Sequence, residues 1–285
     1  MGRDATRGRA LSRQCSAIVA RHRSLILIPA LDIGACLVAL ALLGTLALVT
    51  FPRSVILGFA ILAALVILVV VVDTVAGAAL VVATEQVLLV GSLSWADTWR
   101  RCGRTLGPLL AWSGIRAGVG SALSVVRGDG SGGGGSGGLL LRGVLAAAGG
   151  VAWGILTFFV VPVLVFESVG PMAAIRRSAQ LTRQRWGTQI TGTVRIGAIL
   201  GLVTVLPGIL LALAGLALLA DPGQTAPWLA LPILAIGCIA VLVGVILMGT
   251  LRGVFSVVMY RYATTGEAVG EFNAEDLAAA FGSGR

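Results

Sequence analysis

The sequence predicts an all-α, polytopic membrane protein with six transmembrane helices and amphipathic helices on the cytoplasmic side. Composition and run length carry this reading. Of 285 residues, 57% are hydrophobic and only 12% are charged, about half the charged share of an ordinary soluble domain. Mean hydropathy is +1.00. The apolar residues gather in runs of about 20 or more, the length a helix needs to cross a 30 Å hydrocarbon core. Such a chain is neither intrinsically disordered nor expected to fold as a soluble globule.

The first element is a basic cytoplasmic segment, 1–24, with six Arg. The apolar run behind it, from Ser24 to Pro52, is interrupted only by Asp32. It exceeds the roughly 7–15 residues of a secretory signal core and reads as an uncleaved span. The membrane domain, 25–262, then holds spans at about 25–49, 54–84, 105–126, 143–166, 188–220 and 228–251. The third is the weakest, with Arg116 in its middle. Pro162, Pro207 and Pro232 fall inside spans, where neighbouring groups can satisfy the freed carbonyls. The Gly-rich stretch 128–138 reads as a flexible external loop, and 263–285 as a cytoplasmic tail.

Orientation follows from arginine. All 21 basic residues are Arg, against 12 acidic residues, for a net charge of +9. Counted between spans, fifteen fall on one side and three on the other. The positive-inside rule places both termini in the cytoplasm and the protein in the cell membrane, as a multi-pass inner-membrane chain. The arginines are dispersed and form no groove-sized patch, so no nucleic-acid partner is expected.

Two segments on the inner side, 94–106 and 170–187, read as amphipathic helices resting on the membrane surface. Pro171 suits a helix first turn, with Ser168 as a cap. Met172, Ile175, Ala179 and Trp186 fall near one face. Both segments share an apolar-Arg-Arg-small pattern, Trp99-Arg100-Arg101-Cys102 and Ile175-Arg176-Arg177-Ser178, which hints at an internal repeat. Arg100, Arg101, Arg104, Arg176, Arg177, Arg183 and Arg185 form a candidate surface for anionic lipid headgroups. A membrane or cytosolic protein partner is the other reading of the same surface.

Four charges lie inside the spans. At about 1.5 Å per residue, Asp32, Asp73, Arg116 and Arg195 fall near one level, roughly 11–16 Å from the inner end. Their charges balance, so the cluster reads either as interhelical glue, with Asp73–Arg116 as a pair, or as a polar transport site. Glu85 and Glu167 are isolated carboxylates at inner span ends and read as interfacial. GxxxG pairs occur at Gly114–Gly118, Gly150–Gly154, Gly197–Gly201 and Gly249–Gly253, among others, but in a chain with 40 Gly they arise by chance.

No chemistry is expected. Cys15, Cys36, Cys102, Cys238 and His22 have no metal-ligand spacing. There is no phosphate-binding loop, nucleophile elbow or zinc-protease motif. The expectation is a non-enzymatic scaffold or accessory protein without cofactor, with a small-solute or lipid transporter as the alternative.

The string Phe158-Phe159-Val160-Val161-Pro162-Val163-Leu164-Val165-Phe166-Glu167, then Gly170-Pro171, Ala174-Ile175, Arg177-Ser178 and Trp186-Gly187, resembles a family of uncharacterised prokaryotic six-helix membrane proteins. The ending, Tyr260-Arg261-Tyr262-Ala263-Thr264-Thr265-Gly266-Glu267 with Phe272 and Ala280-Phe281, resembles it too. The middle motif is similar, more weakly, to the membrane domain of glycerophosphoryl diester phosphodiesterases, whose catalytic domain this chain lacks. The resemblance implies a fold and a membrane location, and no catalytic residues.

Overall fold

The computed structural model describes residues 18–128, 148–150, 152–186, 205–219 and 227–266. Among them the protein is helical, without a strand. The helices are α1 (Ser24–Thr50), α2 (Val55–Val90), α3 (Trp95–Arg104), α4 (Leu106–Gly128), α5 (Val160–Glu167), α6 (Pro171–Trp186), α7 (Val205–Leu219) and α8 (Pro227–Thr265). Helical residues 148–150 and 152–156 lead into α5 through a turn at 157–159. The chain forms two compact units, Leu31–Arg185 and, separately, Met1–Ala30 with Trp186–Arg285.

Among the described residues four helices are long and apolar enough to cross a bilayer: Ser24–Thr50, Val55–Val90, Ala148–Glu167 and Trp228–Thr265. The other two expected spans are not among these four. α4 has the length, 23 residues, but Arg116 and the interspersed Gly and Ser lower its apolarity. The described part of the fifth, α7, is apolar but short, and 188–204 lies outside the described residues. So does the Gly-rich stretch from 129 onward. Large apolar side chains such as Leu31, Leu48, Ile56, Leu213 and Trp228 stand exposed. Only 11% of the most apolar window of α1, α2 or α8 is buried. A soluble monomer does not carry apolar surface on this scale.

In the Leu31–Arg185 unit α2 is the hub, packing against α3, α4 and α5. The turn before it is tightly fixed. Arg53 Nη1 donates to the Val49 carbonyl at 2.8 Å, and Ser54 Oγ caps α2 by accepting from Leu57 N at 3.3 Å. The Phe51 ring closes over Gly58, where a Cβ would come within 2.8 Å of it. The first half of α2 is largely exposed, whereas Ala78 to Val87 is buried. Small residues there (Ala78, Ala79, Ala83, Thr84) let three neighbours approach. α2 ends six residues beyond the expected 84. Nothing from Glu85 to Val90 breaks a helix, and the stop is Gly91, whose φ of 75° a side chain would strain. Its N–H closes on the Val87 carbonyl at 3.1 Å. α8 likewise runs past 251 to Thr265.

The other unit contains an antiparallel α7–α8 hairpin held by close backbone approach. A Cβ on Gly208 would meet Val241 N at 2.7 Å, and one on Gly215 would meet Leu234 N at 2.5 Å. Between them Gly237 of α8 lies against Ala212. Gly114, Gly118, Gly150 and Gly154, from the GxxxG pairs, meet nothing within 4 Å. Close packing thus uses a seven-residue glycine spacing outside those motifs.

Candidate functional site: a mid-helix charge cluster and two carboxylate–arginine clamps

Antiparallel packing of α2 and α4 brings Asp73 level with Arg116. Arg116 Nη1 lies 2.7 Å from Asp73 Oδ2 and donates to Thr74 Oγ1 at 2.9 Å. The Thr74 hydroxyl, buried, donates in turn to the Val70 carbonyl at 2.7 Å. One guanidinium nitrogen is therefore shared by two consecutive residues of α2. Asp32 lies on α1 within electrostatic reach of both Asp73 and Arg116. It accepts from its i+4 neighbour, Cys36 Sγ, at 3.7 Å. Two of the four charges expected at one level, Asp73 and Arg116, are thus brought into contact, and Arg195 lies outside the described residues. The Asp73 side chain is 49% exposed and that of Arg116 36%, so the cluster opens toward the helix surface.

At the other end of α2, Glu85 is not the interfacial carboxylate expected from its position. Its side chain is 7% exposed and pairs with Arg101 Nη1 of α3 at 3.1 Å. Glu167, at the end of α5, pairs with Arg177 Nε of α6 at 3.3 Å. In both cases the second Arg of the Arg-Arg pair folds back onto a carboxylate in the last two turns of the preceding apolar helix. The residue after it, Cys102 or Ser178, is buried. Burial pushes the Cys102 thiol up to about 11. Gln86 adds a tie, its Oε1 accepting from Ser94 N at 2.9 Å. Ser94, the N-cap of α3, accepts from Asp97 N through its hydroxyl.

Ser178 explains the break before α5. Pro162 falls in the first turn of α5, where its missing N–H is tolerated. The turn at 157–159 tightens to i→i+3 bonding: Phe158 N donates to Ile155 O, and Val160 N to Thr157 O. That leaves Phe159 N and Leu156 O without their regular helical partners. Ser178 Oγ takes up both, donating to Leu156 O at 2.6 Å and accepting from Phe159 N at 3.2 Å. Nearby, Trp112 of α4 stacks on Trp153, with ring centroids 5.9 Å apart.

The remaining arginines face outward. Arg100 pairs with Asp97 at 3.1 Å, both side chains more than half exposed. Arg104, Arg176 and Arg183 are exposed and have no ion-pair partner among the described residues. The side chain of Arg185 lies outside the described residues. One expectation for α6 is corrected. Its N-cap is Gly170, whose carbonyl accepts from Ala174 N at 2.9 Å, while Ser168 ends α5 with φ 51°. The buried face is Ala174, Ser178, Leu181 and Thr182, and Met172 is exposed. Small side chains win the protein-facing side because they let the helix approach closely, leaving the long ones outside.

Among the described residues no cluster of three His, Cys, Asp or Glu could hold a metal. Sequence reasoning missed the two clamps and Ser178. The signal was present in the doubled Arg-Arg-small pattern, each copy downstream of a lone Glu. The arrangement is that of an all-helical protein with membrane-length apolar helices braced by internal ion pairs. The chain belongs to the Family of unknown function (DUF6159), which matches residues 55–270. That stretch contains Asp73, Arg116, both clamps and Ser178; Asp32 precedes it. No curated protein and no solved structure matches the chain. Nothing supports the weaker similarity to glycerophosphoryl diester phosphodiesterases.

Proposed function

We propose that the protein is a six-span, non-enzymatic scaffold or accessory protein of the cell membrane, with cytoplasmic termini, and that it engages anionic lipid headgroups through α3 and α6. The observation that carries this reading is the set of exposed arginines without a carboxylate partner, Arg104, Arg176 and Arg183, beside exposed Trp95, Trp99 and Met172. Cationic groups next to interfacial aromatic and apolar side chains suit a surface where headgroups meet acyl chains. Each basic residue near an anionic leaflet contributes about 1 kcal/mol. The test is lipid retention by the purified protein, read by native mass spectrometry. Retention of phosphatidylglycerol over phosphatidylcholine should fall in an Arg104→Gln/Arg176→Gln/Arg183→Gln variant. Equal retention by that variant and the parent would remove the proposal.

A second reading, a small-solute or lipid transporter, draws on the half-exposed Asp73 paired with Arg116. It requires a water-accessible path. Cysteines scanned along α2 and α4 should then react with impermeant thiol reagents from both sides, and uniform protection would count against transport.

A further inference from the structure

α3 and α6 share more than a sequence pattern. At a constant offset of 76 residues, Ser94 corresponds to Gly170, and each carbonyl accepts the first helical bond, from Thr98 N and Ala174 N. The buried positions correspond as well: Thr98 with Ala174, Cys102 with Ser178, and Thr105 with Leu181. Arg101 and Arg177, also equivalent, hold the carboxylates Glu85 and Glu167. Cap, buried stripe and clamping Arg thus agree on one register.

Against that common frame the two helices differ in charge. α3 carries Asp97, three residues before Arg100 and paired with it. The equivalent of Asp97 in α6 is Ala173, and α6 has no acidic residue, so Arg176 keeps its charge uncompensated. Arg104, the remaining exposed Arg of α3, sits in the last turn, at the negative end of the helix dipole. In α6, Arg176 and Arg183 are seven residues apart on one face, roughly 10 Å along the axis. That face is opposite the buried stripe, and Met172 lies on it one turn earlier.

We propose that α3 and α6 are two copies of one span-end unit that have divided their work: α3 is the internally neutralised, bracing copy, and α6 is the copy that docks an anionic phospholipid headgroup between Arg176 and Arg183. This rests on the lipid reading above and narrows it to one helix. The occupant is a lipid phosphate, because the face combines uncompensated guanidinium groups with an exposed apolar side chain suited to the acyl boundary.

The test exchanges the equivalent positions Asp97 and Ala173. The full chain is reconstituted in phosphatidylcholine vesicles, and spin-labelled phosphatidylglycerol is compared with spin-labelled phosphatidylcholine for association with it. Ala173 and Asp97 are both exposed, so substitutions there leave the packing intact. Ala173→Asp gives Arg176 the partner that Arg100 has and should weaken the phosphatidylglycerol preference by up to about fivefold, the worth of one basic residue at the surface. Asp97→Ala should create a second site on α3 and strengthen the preference. Ala173→Lys should strengthen it too, which separates charge from bulk. If Ala173→Asp has no effect while the triple Arg→Gln variant abolishes the preference, lipid binding stands and the division of work falls. If the triple variant also keeps the preference, both fall. Equal association of the two labels with the parent protein, the outcome for a face that serves a soluble acidic partner, overturns the proposal as well.

Discussion

A single guanidinium, Arg116, determines how α2 and α4 meet. It holds Asp73 and Thr74 together, and in an apolar surrounding neither charge can be left alone cheaply. Arg116→Leu should destabilise the protein by at least about 2.5–3.5 kcal/mol, the cost of an unpaired charge in the bilayer, read as a lower melting temperature in detergent. Asp73→Leu/Arg116→Leu should recover most of that loss, because removing both charges removes the penalty. A double variant as unstable as the single would mean that the pair is not what holds the helices. Cys102 gives a pH prediction. Its folded-state value is raised from 9.0 to about 11, so the folded chain keeps a proton that the unfolded chain releases. Its contribution to stability is complete below pH 9 and is lost as pH rises from 9 toward 11. Denaturation midpoints measured across that range should fall, and less so in Cys102→Ala. Asp73 and Arg116 were legible in the sequence because charges are scarce and residue rise converts position into depth. Glu85 was not, because a lone carboxylate at a span end looks the same whether it faces headgroups or an Arg sixteen residues away.

For single elements, the informative case is the interrupted helix ending in α5. Ser178→Ala keeps the size of the residue but removes the oxygen that serves Leu156 O and Phe159 N. With buried Phe159 N and part-buried Leu156 O left unsatisfied, stability should fall by about 1–3 kcal/mol, read in the same thermal assay. Ser178→Thr, which retains the hydroxyl, should lose less if its methyl group is accommodated. An unaffected Ser178→Ala would show that another group satisfies the break. The sequence indicated a proline-bearing apolar segment here but not its repair, since the hydroxyl comes from the next helix. On α6, too, the side that packs against the protein carries small residues, Ala174 and Ser178. The same preference appears at Gly208 and Gly215, whose pairing with α8 no local motif reveals.

For the whole molecule, composition established the all-helical, apolar character, and four membrane-length helices express it. The six-span arrangement depends on α4 and on the stretch around α7, where one Arg or a short described segment weakens the signal. Topology is open to direct measurement. In an otherwise cysteine-free variant, a single cysteine placed within 221–227 should react with an impermeant thiol reagent in intact cells, and one placed within 128–138 should do the same. Labelling only after lysis would reverse or abolish the six-span reading. Both clamps, the Arg116 pair and Ser178 fall inside the family match at 55–270. What this family match covers most clearly is therefore a bracing framework.

The repair by Ser178 also bears on biogenesis. Synthesis delivers Leu156 and Phe159 about twenty residues before the hydroxyl that completes their bonding. Until α6 emerges and docks, the segment carries two peptide groups that hydrocarbon does not satisfy. It therefore gains by waiting beside water or the insertion machinery. Lateral release of this segment into lipid should wait until α6 has docked against it from the membrane surface.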